Sequence, residues 1–351
     1  MVRTDFRHPD GRRAYLYGSF LEAPQGYRPA PRAAGLYERR WNPLRREWVL
    51  VAAARQNRTF MPDQVDCPLC PSAPSHSSEI PAARFDLAVF ENRFPAMRPS
   101  LAGAEGGEGV AEVVVYTDQH DVSFSSLPLD RLHRLVDVWS DRYSELGSRR
   151  DVQYVFIFEN SGEEVGVTLH HPHGQIYGYP FIPPVAELEL HASRLHRRQG
   201  KGCLQCELVA DECKAKARML FVRGGIAAYV PAYARYPFEV HVAPVDHRGA
   251  LPDLMLGERP SFAEALQAVV RGYDGLFGRT MPYMMAMHQR PTDGRPHPEA
   301  HIHVEFYPLL RDAGKLKFLA AGECGAGTFV NDSLPEDRAQ TLRRAMSRVE
   351  P

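Results

Sequence analysis

The chain has 351 residues, enough for one large core or two fused halves. Its 42 lysines and arginines balance 43 aspartates and glutamates, so no overall field draws it to nucleic acid or an anionic membrane, and a phosphorylated ligand has to be held by local groups. The polar, basic start from Met1 to Arg13 lacks the apolar core of a secretory signal, and no uninterrupted apolar run of about 18 residues occurs, so a cytoplasmic protein outside the membrane is expected.

In chain order, Pro9-Asp10-Gly11-Arg12 and the prolines and arginines between Ala23 and Arg32 make residues 1–35 an extended N-terminal arm that wraps the body or a neighbouring subunit. Next comes Cys67/Cys70, the first of two Cys-x-x-Cys pairs; the second is Cys203/Cys206. In a cytosolic chain this spacing points to metal ligation or redox chemistry before structural disulfides. Two histidines follow each pair at nearly equal intervals, His120 and His171 after Cys70, then His247 and His301 after Cys206.

The surroundings repeat too. His120 follows the apolar stretch Val113–Tyr116 and precedes a helical pattern from Leu129 to Leu146; His247 follows Val240–Ala243 and precedes a helical pattern from Phe262 to Phe277. An internal duplication explains this economically. It predicts an α+β body of two tandem halves, 36–195 and 196–351, each with strands and a long covering helix, their two similar sheets joined side by side. The charged segment Glu187 to Lys201 is the joint, and no low-complexity linker separates the halves.

The run His170-His171-Pro172-His173-Gly174-Gln175 follows the apolar segment Val152–Phe158. Alternate residues of an extended segment share a face, so His171, His173 and Gln175 converge, and one histidine can bind a metal while its neighbour attacks an electrophile. The same run also reads as a polar strand end with satisfied ring nitrogens. Two thiolates and two imidazoles in each half suit tetrahedral Zn²⁺, in closed sites that tie a loop to two strands and leave no position for metal catalysis. Cys213 and Cys324 lack partners in this pattern.

Longer strings then carry a resemblance. Phe158-Glu159-Asn160-Ser161-Gly162, Gly166-Val167-Thr168 and His171-Pro172-His173-Gly174-Gln175-Ile176, with Arg40-Trp41-Asn42-Pro43-Leu44, Val89-Phe90-Glu91-Asn92 and Ala234-Arg235-Tyr236-Pro237-Phe238-Glu239, resemble galactose-1-phosphate uridylyltransferases of the histidine-triad superfamily. The similarity runs from Arg39 to Glu323. It implies two histidine-triad-like halves with antiparallel sheets, a homodimer, and exchange of UMP between UDP-glucose and galactose 1-phosphate. His173 would be the nucleophile, since imidazole is largely neutral near neutral pH and needs no deprotonation, and Gln175 would donate to a phosphoryl oxygen without titrating.

Further roles follow from the same likeness. Arg55 and Arg58 would neutralise the diphosphate, with Asn92, Asn160, Gly166 and Thr168 around the nucleotide, and Lys317, Phe318 and Glu323 would handle the hexose. A further zinc or iron site would use Glu189, His288 and His303, with Glu305 where the family has a histidine. Other departures are Arg93 after the asparagine, Val167 before Thr168, and Phe329 in place of a glutamine. Val304-Glu305 replaces Gly174-Gln175 in the second half, so only the first half is expected to be active. Competing readings are an adenylyl-transferring nucleotide-sugar phosphorylase of the same superfamily, a non-catalytic zinc-stabilised nucleotide-binding module, and a structural nucleic-acid zinc protein, the last opposed by the balanced charge.

Overall fold

The computed structural model describes residues 1–98 and 109–349. The chain opens with β1 (Arg3–Arg7) and β2 (Arg13–Glu22), then a separate hairpin of β3 (Tyr37–Asn42) and β4 (Glu47–Ala52). The first half continues through β5 (Ala82–Glu91), β6 (Val110–Val115), α1 (Leu129–Gly147), β7 (Tyr154–Ser161) and β8 (His173–Tyr179). Helices α2 (Pro184–Arg198) and α3 (Leu204–Ala215) lead into β9 (Met219–Arg223), β10 (Ile226–Tyr229), β11 (Val240–Pro244), α4 (Glu258–Phe277), β12 (Tyr283–His288) and β13 (His303–Pro308). Short strands β14 (Leu310–Asp312) and β15 (Lys315–Leu316), then α5 (Ala321–Ala326) and α6 (Pro335–Val349), complete it.

Among the described residues the main sheet runs β1-β2-β5-β6-β8-β7-β12-β13-β11-β10-β9, with antiparallel neighbours throughout. The order β5-β6-β8-β7 is mirrored by β10-β11-β13-β12, so the duplication read from the cysteine and histidine spacing is a real repeat of topology. The two half-sheets are joined side by side, as expected. They fuse edge to edge through β7 and β12, from Ile157 opposite Met287 to Ser161 opposite Tyr283, which leaves neither central edge exposed.

One face of this sheet is covered by α1 and α4. In α1, Leu132, Leu135, Val136, Trp139, Tyr143 and Leu146 recur at helical spacing and are buried; in α4, Phe262, Leu266, Val269, Val270 and Tyr273 do the same. Both stripes enter one core with Ile157, Ile176, Met287 and Val304 from the strands, and each such side chain contributes roughly 1.5–3 kcal/mol by leaving water. Because side chains alternate along a strand, His173, Gln175, His303 and Glu305 face the opposite way. There the Cys67/Cys70 loop packs over β5 and β6 with Leu69, Ile80, Phe85 and Phe90.

The arm expected over residues 1–35 is in part a hairpin that extends the sheet. Ala14, Tyr15, Leu16 and Tyr17 are all buried, and β2 pairs with β5. A strand buried on both faces reads as continuous apolar residues, which the neighbouring prolines and arginines masked. The expected joint at Glu187–Lys201 lies largely within α2, where Pro184 takes the first helical turn.

Candidate active site and metal clusters

His173 stands at the first position of β8. Its Nδ1–H donates to the carbonyl of His171 at 2.8 Å, which fixes the tautomer and leaves Nε2 with the free lone pair. Burial holds this imidazole below its ordinary pKa, partly offset by that hydrogen bond, so the ring is neutral at neutral pH.

Two hollows share His173 as a wall. A cavity of about 90 Å³ is lined by Arg55, Arg58, Asn92, Thr168, His173 and Gln175, which brings together six residues anticipated from sequence. Beside it, a cleft of about 860 Å³ is lined by His173, Asn160, Glu163, Glu164, Ser123 and Arg279 among others. Gly166 ends the short turn Glu163–Val165 with φ 77°, a conformation that costs glycine little.

The cation pair is locally built. Arg55 lies in the 3-10 turn Ala53–Asn57 and donates to the Phe94 carbonyl at 2.9 Å; Arg58 caps that turn and donates through Nε to the Arg55 carbonyl at 3.2 Å. Burial and the neighbouring Arg55 charge depress the Arg58 pKa, a strain that an anion between them relieves. Gln175 accepts from the Tyr177 hydroxyl at 3.5 Å through its Oε1, which leaves its amide N–H groups for the cavity.

Sequence reasoning missed Leu69, Val113, Glu79 and Phe94 of this cavity; Phe90 and Arg93, noted only in the string around Asn92, line it too. Register reveals some of it. Phe90, Val113, Gln175 and Phe158 form one row across β5, β6, β8 and β7, and the row continues through Ala286, Glu305 and His241. Such pairing has no local signature in the chain.

Among the described residues three clusters could hold a metal ion, each with ligand atoms within 4.8 Å of one another. In the first, Cys67, Cys70, His120 and His171 are all buried, and Cys70 Sγ lies 3.3 Å from His120 Nδ1 and 3.5 Å from His171 Nδ1. The His171 Nε2–H donates to the Thr117 carbonyl at 2.8 Å, so Nδ1 is directed at the thiols. The Cys70 side chain, by hydrogen bonding, pulls the Cys67 thiol down, and Cys70 is pushed up in return, as expected when two adjacent sulfurs share one proton.

In the second cluster Cys203, Cys206 and His301 converge, with sulfur to Nδ1 distances of 3.4 and 3.3 Å, and exposed His247 stands 4.0 Å from Cys206. His301 Nε2 donates to the Pro244 carbonyl at 3.1 Å, repeating the first cluster's device. The third groups Glu189, His288 and His303, with Glu189 2.9 Å from His288 Nδ1. Glu305 stands beside it, as near to the His303 ring as Glu189 is. Its carboxylate takes the Tyr307 hydroxyl, Arg235 at 3.2 Å and His241 at 3.3 Å, while its oxygens lie 3.8 and 3.7 Å from the rings of His288 and His303. Burial alone would raise this carboxyl, but His241, His288, His303 and Tyr307 hold it well below the usual range.

Lys317, Phe318 and Glu323 lie outside both hollows of their own chain. Lys317 is buried, donating to the Val330 carbonyl at 2.6 Å and pairing with Glu323 at 3.5 Å, while Phe318 is 75% exposed. No helix among the described residues is long and apolar enough to cross a membrane.

Comparison with known proteins gives this geometry a context. A galactose-1-phosphate uridylyltransferase of Thermotoga maritima is 39% identical over 319 residues, covering 88% of this chain and 98% of that protein. A protein of the same name from Rattus norvegicus is 30% identical, over 87% of this chain and 86% of its own. A solved structure of a uridylyltransferase superposes with TM-score 0.80 at 34% identity, covering 90% of this chain and all of the other. An ADP-glucose phosphorylase from Arabidopsis thaliana with bound ADP-glucose shares the fold, with TM-score 0.69 at 22% identity. Residues 30–183 match the N-terminal domain of galactose-1-phosphate uridyl transferase and residues 190–350 its C-terminal domain, so the chain belongs to that family over both of its halves.

Proposed function

We infer that this enzyme is a uridylyltransferase that exchanges UMP between UDP-glucose and galactose 1-phosphate, with His173 as the covalent carrier. His173 Nε2 attacks the α-phosphorus of UDP-glucose, the bond from that phosphorus to the bridging oxygen breaks, and glucose 1-phosphate leaves with the electron pair. A phosphate oxygen of galactose 1-phosphate then attacks the same phosphorus, and the histidine leaves as UDP-galactose forms. No group has to be deprotonated first, because the imidazole is already neutral.

Arg55 and Arg58 bind the diphosphate, and the amide of Gln175 donates to the oxygen on which charge develops. Asn92, Thr168 and Asn160 receive the nucleotide and its phosphates, and Gly166 allows the turn between them. The observation that carries this reading is the position of His173. Its ring is tied back through Nδ1, and it forms a wall of both the arginine-lined cavity and the larger cleft. Of the three hexose residues only Phe318 is exposed and free to reach a second copy's cleft, in keeping with the homodimer that the family likeness implies.

The two Cys₂His₂ clusters fit Zn²⁺ by donor set and convergence, and zinc there ties each cysteine loop to its strands. Glu189, His288 and His303 form a further site for zinc or iron. Six free cysteines, four of them in these clusters, suit the reducing cytoplasm.

Intact-mass measurement after incubation with UDP-glucose alone tests the central step. A uridylyl adduct that disappears on adding galactose 1-phosphate is expected, with none from ADP-glucose. No adduct at saturating donor would overturn covalent exchange, and an adduct from ADP-glucose alone would reassign the nucleotide.

A further inference from the structure

Behind the His173-Gly174-Gln175 backbone, away from the arginine-lined cavity but with Glu159 at the wall of the larger cleft, lies a hydrogen-bonded group that the proposed chemistry does not use. Tyr116 donates to Glu159 Oε2 at 2.8 Å, and Tyr283 donates to Glu159 Oε1 at 2.6 Å. All three side chains are buried, so both carboxylate oxygens are taken and neither phenol reaches water. A carboxyl in such a place is costly, and burial pushes Glu159 up to about 7 even with two phenols opposing it.

The Tyr116 hydroxyl also bears directly on Gly174. A Cβ at position 174 would lie 2.2 Å from the Tyr116 oxygen and 3.1 Å from its ring carbon, so the phenol occupies the space that a side chain would fill. A side chain at 174 is opposed chiefly by Tyr116, with the Phe158 carbonyl oxygen also 3.1 Å from the Cβ position.

The second half supplies the control within the same molecule. Matching registers put Val304 where the first half has Gly174, Pro244 at the position of Tyr116, and Met287 at the position of Glu159. Large and small are exchanged across the contact, and the polar group is gone. It is kept only in the half that carries Gln175, although Tyr283 comes from the other half.

We propose that Tyr116 and Glu159, braced by Tyr283, are positioning residues that press on Gly174 and thereby set the directions in which His173 and Gln175 meet the phosphorus. The inference rests on the covalent reading above. It gives the second half a task in the reaction, since its strand β12 holds the far end of the clamp.

Single-turnover formation of the uridylyl adduct from UDP-glucose, with steady-state KM and the unfolding midpoint, tests the clamp. Tyr116→Phe is expected to slow adduct formation by about 10²-fold with little change in KM for UDP-glucose, the loss typical of a displaced reacting group. Glu159→Gln, which keeps an acceptor for one phenol and a donor for the other, is expected to retain most of the wild-type rate.

Gly174→Ala alone is expected to be nearly inactive, and adding Tyr116→Phe should restore about tenfold, a coupling of ordinary size for touching residues. Restoration by a second lesion is not what two independent structural defects would give. Unchanged adduct formation in a folded Tyr116→Phe enzyme, or a double variant no better than Gly174→Ala, overturns the inference while leaving covalent exchange intact. Absence of adduct in the wild type overturns covalent exchange itself and removes the basis of the clamp.

Discussion

The carbonyl of His171 accepts the Nδ1–H of His173 at 2.8 Å, and the ring of His171 turns away to converge with Cys67 and Cys70. One residue thus faces a candidate metal cluster with its side chain and holds the neighbouring imidazole with its backbone. His301 and His303 repeat the arrangement at 3.0 Å, and there too a cavity, of about 380 Å³, opens at the second ring, but its wall carries the carboxylates of Glu189 and Glu305 in place of Gln175 and the arginines. A shared geometry therefore has two destinies, decided by what stands opposite Nε2.

If Nε2 of His173 is the nucleophile, His173→Asn removes the reacting atom while leaving a polar side chain of similar reach. Turnover is expected to fall by at least about 10³-fold and the adduct to vanish from the mass spectrum. The unfolding midpoint should move little, because the ring is only part-buried. Retained exchange activity in this variant would move the covalent step to another residue.

The pH dependence has a definite sign. Burial holds His173 below the ordinary imidazole value, so its neutral form predominates in the folded enzyme at neutral pH. Adduct formation should be flat from about pH 6.5 upward and should decline only at lower pH, as Nε2 takes a proton. An acid limb centred above about 6.5 would show that a different group titrates.

Gln175→Ala leaves the cavity without the amide donor but keeps His173 and the arginines. Both half-reactions should slow by about 10²–10³-fold, the range for losing one preorganised donor. The same variant should bind UDP-glucose nearly as well as the wild type, because the arginines supply the ground-state attraction. A large rise in Kd with an unchanged single-turnover rate would assign Gln175 to substrate binding alone.

The two Cys₂His₂ clusters differ in exposure, and their metal should differ in lability. The first is wholly buried, whereas in the second both cysteines are half-buried and His247 is exposed. Chelator is expected to release one zinc per chain early and a second only on unfolding, followed by elemental analysis. Cys206→Ser should lose the labile ion and keep most activity. Cys67→Ser should destabilise by more than about 4 kcal/mol, a fraction of the binding free energy of structural zinc. Simultaneous release of both ions would contradict this ranking.

The repeat was legible in the chain because metal ligands and helical stripes are local patterns: Cys67/Cys70 against Cys203/Cys206, and Leu129 to Leu146 against Phe262 to Phe277. The fusion of β7 with β12 was not, since nothing within Ile157–Ser161 or Tyr283–Met287 specifies the other as its partner. The same holds for the cavity. Arg55, Arg58 and Gln175 announce themselves by charge and hydrogen-bonding capacity, but Leu69, Phe90 and Val113 are apolar residues whose place in the wall is set by cross-strand pairing. Glu305 reads as a ligand in sequence, and only the approach of Arg235, Tyr307 and His241 from other segments shows its carboxylate to be occupied.

The N-terminal hairpin reaches the site through one side chain. Arg12 is fully buried and donates to Glu79 Oε2 at 2.5 Å, Asp10 Oδ2 at 2.7 Å and the Ala30 carbonyl at 2.7 Å, and Glu79 in turn lines the small cavity beside His173. Burial already raises the Glu79 carboxyl, and Arg12 is its chief compensation. Arg12→Met strands that carboxylate, at an expected cost of about 3–5 kcal/mol, whereas adding Glu79→Met should recover much of it because an apolar pair fits where an ion pair stood. Denaturant unfolding of the two variants separates the outcomes. If the single variant costs less than about 1 kcal/mol, water reaches Glu79 and the hairpin is not the brace of the cavity wall; if the double variant is as unstable as the single, the loss comes from packing around Arg12 and not from its charge.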